Sequence, residues 1–381
     1  MRKEFFRSYE RDASRLKGKV LDVLHPTNID EVRKIILENN KICIRGAGTG
    51  LAGGCVPQGE IVMDLSKMIG ISNFDKERRM VEVEAGVVLD DLQDYLKDSG
   101  LEFPVKPSSH GVATIGGMIA TDAVGNRGVR YGKTSAWVRW VDVVDCKGKL
   151  ERKGTTELSD YVGMEGISGV IVRACLNLVP TMERSASLIR LESVNDVVAL
   201  VRELKQRRDI SSLEFLDKII SKGVGFGDGY YLLVEYEREV TAHGLQSTDS
   251  WGSLKGDEYD KVMKMRDAVY PFVAGEGYTR IEDPKVLPDR FLKLMEWLEA
   301  NGIPTFGHIG SGIFHPCFNV DQERLIPEMM KLVGRLGGQV SGEHGIGLLK
   351  RGFVEINDQK ILRNVKKRTD PLEKFNVGKV I

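Results

Sequence analysis

Three of the six histidines fall between residues 308 and 344. The stretch "GHIGSGIFH" supplies His308 and His315, and "SGEHGIG" supplies Glu343 and His344. Two neutral imidazoles and a carboxylate are the ligand set of a catalytic divalent metal site that keeps an open position. A strand–turn–strand through "GHIGSGIFH" would aim both imidazoles at one point, although the same spacing also suits histidines hydrogen-bonded in a core or loop. His344 lies beside that carboxylate, with a glycine after it that leaves it accessible, and has the makings of a general base. Arg266, in "DEYDKVMKMRDAVY", carries the planar fork that grips a carboxylate through two bonds. On an amphipathic helix the same residue also serves as an ordinary solvated charge.

A second kind of chemistry is suggested by glycine. In "KICIRGAGTGLAGG" a short apolar run leads directly into the spacing G-x-G-x-x-G at Gly48, Gly50 and Gly53. A Rossmann turn would need a helix to open there, because helix N–H groups and the macrodipole hold the pyrophosphate. The chain continues instead as "CVPQGEIVMDLSKM", where Pro57 and Gly59 break it and "EIVMDL" reads as a short strand. The unit is therefore strand, glycine loop, strand. Successive glycine N–H groups can form an anion-binding nest, and missing side chains let phosphates reach the backbone; a flexible surface turn is the bland alternative. Two further glycine tracts follow, "PSSHGVATIGGMIATDAVGNRGVRYGKTS" from residue 107 and "GMEGISGVI" from residue 163. Together they hold more glycine than turns alone require.

The elements around these residues are partly legible. "NIDEVRKIILENN" has helical spacing behind an Asn that can cap, "MVEVEAGV" alternates as a strand, and "LDDLQDYLKDSG" reads as a helix stopped by Gly100. After about residue 183 the character changes to amphipathic helices ("VNDVVALVRELKQRRD", "DEYDKVMKMRDAVY", "PDRFLKLMEWLEANG", "QERLIPEMMKLVGRL") between strands such as "YYLLVEYERE". That alternation predicts an α+β layer with helices on one face of an antiparallel sheet. At 381 residues two domains, or one domain carrying a large insertion, are expected. Lys+Arg and Asp+Glu balance at 55 each, so no bulk pull toward nucleic acid is encoded. The five scattered cysteines form no C-x-x-C pair, so neither a disulfide framework nor an iron–sulfur or Cys-zinc site is suggested. With no apolar run able to span a bilayer, the expected location is cytoplasmic.

Taken in order, these motifs resemble the FAD-linked oxidases of the vanillyl-alcohol oxidase type, in the branch of D-lactate dehydrogenases, D-2-hydroxyglutarate dehydrogenases and glycolate oxidase D-subunits. "RGAGTGLAGGCVP" is similar to the family's phosphate loop, the next two tracts to its other flavin segments, and "SGEHGIG" with the terminal "FNVGKVI" completes the order. The resemblance implies an α+β protein with a non-Rossmann, PCMH-type FAD-binding domain over residues 1–183. A cap with an antiparallel sheet would follow over 184–340, and residues 341–381 would return to the FAD domain. It implies flavin contacts from Arg45, Gly46, Ala47, Gly48, Thr49, Gly50, Leu51, Gly53, Gly54, Pro107, Ser108, Gly111, Thr114, Gly116, Gly117, Asp122, Gly125, Tyr131, Gly132, Glu165, Gly169, Val170 and Asn376. It further implies zinc or manganese on His308, His315 and Glu343, His344 as base and Arg266 on the substrate carboxylate. Thr49 and Gly50 stand where some members attach flavin through a histidine, so FAD is expected to be noncovalent.

The activity so implied is oxidation of a 2-hydroxy acid of D-lactate or glycolate type to the 2-oxo acid by hydride transfer to FAD. An external acceptor (quinone, cytochrome, iron–sulfur subunit or oxygen) would take the electrons, a membrane partner would place the chain at the membrane periphery, and self-association is left open. The branch usually reads G-H-x-G-D-G-N-x-H, where this chain has Ser311 and Ile313, and N-P-G-K is "NVGK". Two alternatives follow: a flavin-binding subunit without hydroxy acid activity of its own, and a metal-dependent hydrolase, which would have no use for the glycine tracts.

Overall fold

Asn28 does cap. In the computed structural model, which describes residues 6–238 and 254–381, its side-chain oxygen accepts from the Glu31 N–H at 3.0 Å and opens helix α1, Ile29–Glu38. The described residues divide into two units. The first comprises Met1–Val124, Lys133–Pro180 and Glu343–Ile381, the second Gly125–Gly132 and Thr181–Gly342.

In the first unit, β1 (Val23–Leu24), β2 (Ile42–Arg45) and β3 (Ile61–Asp64) make a parallel sheet in the order β1-β3-β2. The chain between β2 and β3 is the glycine loop and contains no helix. Next come β4 (Ile71–Asp75), β5 (Met80–Glu84), the short β6 (Leu101–Glu102), β7 (Val138–Val144), β8 (Leu150–Lys153), β9 (Val170–Asn177) and β10 (Val179–Pro180). Five of them form an antiparallel sheet, β4-β5-β9-β7-β8, while β6 pairs with β10. The alternation read in β5 is real: Val81 and Val83 are fully buried and their neighbours only half so. Helices α2 (Leu89–Leu96) and α3 (Ile115–Thr121) bury Leu92, Leu96, Ile115 and Ile119 in the core cluster that holds Val81 and Val83. Gly100 ends the α2 region at φ +74°, the left-handed geometry that favours glycine.

The end of the chain is built into this unit. Lys374 O accepts from Ile42 N at 2.8 Å and Asn376 N donates to Ile42 O at 2.9 Å, so the segment adds itself to the edge of β2 and buries Phe375 completely. Removing that ring would cost roughly 3–5 kcal/mol.

The second unit opens with the helical turn α4 (Gly128–Tyr131). Its sheet is antiparallel, with β11 (Glu183–Leu191), β12 (Ile210–Leu216), β13 (Tyr230–Arg238), β14 (Arg280–Ile281), β15 (Thr305–His308) and β16 (Ile313–Phe318) in the order β11-β13-β12-β15-β16-β14. Glu239, the last residue of the expected strand "YYLLVEYERE", lies outside the described residues. Helices α5 (Val194–Leu204), α6 (Lys218–Gly223), α7 (Asp257–Asp267), α8 (Val269–Gly275), α9 (Pro288–Ala300) and α10 (Ile326–Arg335) pack around it.

They do not share one face, as the sequence pattern suggested. Phe291 of α9 stacks on Phe314 at 3.9 Å and meets Phe215 edge-on at 5.2 Å. On the opposite face Ile220 of α6 and Val269 and Val273 of α8 pack with Leu216, Tyr231 and Cys317. The expected helix "DEYDKVMKMRDAVY" is interrupted at Ala268, which caps α7 and precedes α8.

Candidate active site

The glycine tracts lie in the first unit, apart from Gly125–Gly132. Gly48 and Gly53 take φ of +74° and +79° and curl the loop after β2. Among the described residues, no backbone N–H from Gly46 to Gly54 donates to a protein acceptor. A run of uncommitted N–H groups on a curled, side-chain-poor loop is the donor set an anionic pyrophosphate requires. A Cβ at Gly50 would meet no protein atom within 4 Å, so that glycine is not required for packing. Ala47, Thr49 and Leu51 complete this open stretch. The loop fits FAD.

Many of the other expected contacts are committed to the protein itself. The Arg45 guanidinium donates to Arg11 O at 2.9 Å and lies 5.4 Å from the centre of the Tyr9 ring. A Cβ at Gly46 would sit 2.4 Å from Thr114 Oγ1, and one at Gly116 would sit 2.7 Å from Ala85 Cβ. Gly169 likewise makes room for Val143, Val170 starts β9, and Gly54 faces Glu165. Thr114 caps α3 by accepting from Gly117 N, while Asp122 accepts from Ser135 N at 2.8 Å. Pro107 accepts from His110 N, which begins the turn that holds Ser108 and Gly111. Glu165 and Asn376 act as clips. The Glu165 carboxylate accepts from Ile346 N at 2.6 Å and Gly347 N at 2.9 Å. Asn376 accepts from Ile44 N and donates to Glu165 O at 2.6 Å. In the second unit Tyr131 donates its hydroxyl to the buried Glu237, and Gly125 and Gly132 take positive φ.

The second unit holds the expected histidines. Strand, tight turn and strand form as read: His308 ends β15, a 3-10 turn spans Ile309–Ser311, and His315 lies on β16. The register places Phe306 opposite His315 and His308 opposite Ile313, so both imidazoles emerge on one face with ring centres 5.2 Å apart. Each is 3% exposed. The backbone leading to Glu343 is anchored within the same unit, since Asp283 accepts from Ser341 Oγ and from Gly342 N at 2.9 Å. Glu343 follows by one peptide bond. In the first unit, its Oε1 lies 3.6 Å from His344 Nε2.

Arg266 is not a solvated face. Only 8% exposed, it donates from Nη2 to Glu214 Oε2 at 2.9 Å and from Nε at 3.3 Å, with Nη1 3.4 Å from Asp267. The other oxygen of Glu214 meets His308 Nδ1. Burial by itself would raise the Glu214 carboxyl, but its bonds to His308 and Arg266 outweigh it and hold the group below the usual carboxylate range. Sequence reasoning missed Glu214. Its signal was available, because a lone carboxylate interrupts "ISSLEFL", a strand in which every residue is buried.

Residues 21–154 match the model of the FAD binding domain, and residues 181–380 match that of the C-terminal domain of FAD linked oxidases. The chain belongs to the FAD-linked oxidase family. As a family member it is an FAD-dependent oxidoreductase, in agreement with the free N–H groups of the glycine loop. It is similar to the D-lactate dehydrogenase of Archaeoglobus fulgidus, with 30% identity covering 94% of this chain and 91% of that one. The glycolate oxidase subunit GlcD of Bacillus subtilis is 28% identical over 94% and 88% of the two chains. The D-2-hydroxyglutarate dehydrogenase of Stutzerimonas stutzeri is 26% identical over 94% and 90%. No helix of this FAD-linked oxidase, among the described residues, is long and apolar enough to cross a membrane.

Proposed function

We propose that this FAD-linked oxidase converts a small 2-hydroxy acid, of the D-lactate or glycolate type, into the 2-oxo acid. In this reading the FAD is noncovalent, seated in a domain of the non-Rossmann, PCMH type, and electrons leave to an external carrier. His308, His315 and Glu343 hold a divalent metal such as zinc or manganese. FAD, when bound, supplies the acceptor for a hydride, and the metal a positive charge that acidifies the substrate hydroxyl. His344 takes the hydroxyl proton as the hydride leaves the α-carbon. Arg266 attracts the substrate carboxylate.

The observation that carries this reading is the pair of buried imidazoles held on one face of adjoining strands. The names of the relatives support the substrate class. Ile313, directly across from His308, favours a substrate whose substituent is small or apolar. The test is anaerobic mixing of the yellow protein with glycolate, both lactate enantiomers and 2-hydroxyglutarate. Bleaching by at least one is expected. A yellow protein that no hydroxy acid bleaches would make the chain a flavin-binding subunit and overturn the proposal.

A further inference from the structure

We propose that Glu214 is a positioning residue that fixes which nitrogen His308 presents and, with its other oxygen, which edge Arg266 presents. The metal half of this inference rests on the proposed role of His308 as a ligand. The tautomer half does not.

Glu214 occupies the middle of β12 between Leu213 and Phe215, where an apolar residue would complete the pattern. A carboxylate is retained at such a position only when its partners satisfy it. One oxygen faces His308 Nδ1 and the other takes Nε and Nη2 of Arg266. An ionised carboxylate can only accept, so the proton of a neutral His308 resides on Nδ1 and the lone pair on Nε2. A carboxylate behind the far nitrogen also fixes ring rotation and raises ligand basicity. For Arg266 the consequence is directional. With its Nε edge occupied by Glu214, the guanidinium offers its Nη1 end, beside Asp267, whose side chain is 62% exposed.

A merely structural ion pair pinning α7 to the sheet would change stability and leave the imidazole as it is. The experiment therefore reads the imidazole and its metal affinity on FAD-loaded protein stripped of metal by chelator. Histidine 15N spectra, with the His308 signals assigned from His308→Gln, report the tautomer, and competition against a chromophoric chelator reports zinc affinity. Glu214→Gln would leave the buried Arg266 facing a neutral amide in place of a carboxylate, so the double variant Glu214→Leu/Arg266→Met, which removes both charges, is measured beside it.

The wild type should show the Nδ1–H tautomer at His308. The double variant should lose it and bind zinc roughly 10–100-fold more weakly, Glu214→Gln should weaken zinc in the same direction, and Arg266→Met alone should stay within about threefold. A folded, yellow double variant with unchanged tautomer and zinc affinity would overturn the inference, as would a wild-type His308 protonated on Nε2. A wild type that binds no zinc but shows the Nδ1–H form, lost in the variants, would remove the metal reading and leave the positioning role standing.

Discussion

Replacing Glu165 by glutamine should loosen the loop that follows His344. The Glu165 carboxylate is 7% exposed and accepts from two consecutive backbone N–H groups, those of Ile346 and Gly347. The loop needs this support because it runs close to the glycine tract: Gly347, at φ +49°, lies where a Cβ would come 2.1 Å from Ala52 O. Glutamine keeps the shape but turns one oxygen into an NH2 facing an N–H. Hydrogen bonds to a charged acceptor contribute about 1.5–3 kcal/mol each. Losing one and weakening the other should cost about 2–4 kcal/mol. The clip from Asn376 to the Glu165 carbonyl is untouched, which confines the change to the side chain. Urea unfolding of the FAD-loaded protein, followed by the fluorescence of released flavin, measures the loss. Hydroxy-acid-driven bleaching should slow as well, since the same loop positions His344. A variant that unfolds within about 0.5 kcal/mol of wild type, below the cost of even one such bond, and that bleaches at the same rate would refute the reasoning.

Gly50→Val meets no protein atom and no positive φ, so it should fold normally yet purify with little flavin; full FAD occupancy would show that the phosphates do not approach there. Gly48→Val should lose both flavin and stability, because its Cβ would lie 2.1 Å from the Arg45 guanidinium at φ +74°. Chelator and His308→Ala should each abolish hydroxy-acid bleaching with FAD retained, and added metal should rescue only the chelated wild type. By contrast, His344→Ala should keep metal and lose turnover, so stoichiometric metal in His308→Ala by elemental analysis would contradict the assignment. Asp142→Asn should destabilise by about 1–3 kcal/mol at neutral pH, because it leaves Arg152 and Arg173 without the carboxylate they share. Burial opposes ionisation of Asp142, but those two arginines hold its pKa below the ordinary 3.8. Its stabilisation is thus complete above that pH and fades as pH falls through the folded value, and the gap between variant and wild type should close in acid urea melts.

The sequence alone determined what depends on neighbours within a few positions. The strand, glycine loop and strand at residues 42–64 follow from turn chemistry, since Pro57 and Gly59 forbid the helix a Rossmann site needs. The turn between His308 and Ile313 follows from glycine spacing, with Gly312 at φ +73°, and the period-two strand pattern places His315 on the same face as Ile313. Asn28 caps a helix because the N–H that its side-chain oxygen accepts from is three residues away. What only the tertiary structure decided involves partners far apart in the chain. Arg266 reads as a surface arginine until its helix is laid on the sheet, where Glu214, 52 residues earlier, receives it. His308 meets the same carboxylate across 94 residues. Glu165 and Asn376 are bound to backbone 181 to 332 residues away. Helix and strand periods record only which side of an element is buried. The choice of partner on that side depends on register and packing between elements, and those are settled when the chain closes on itself.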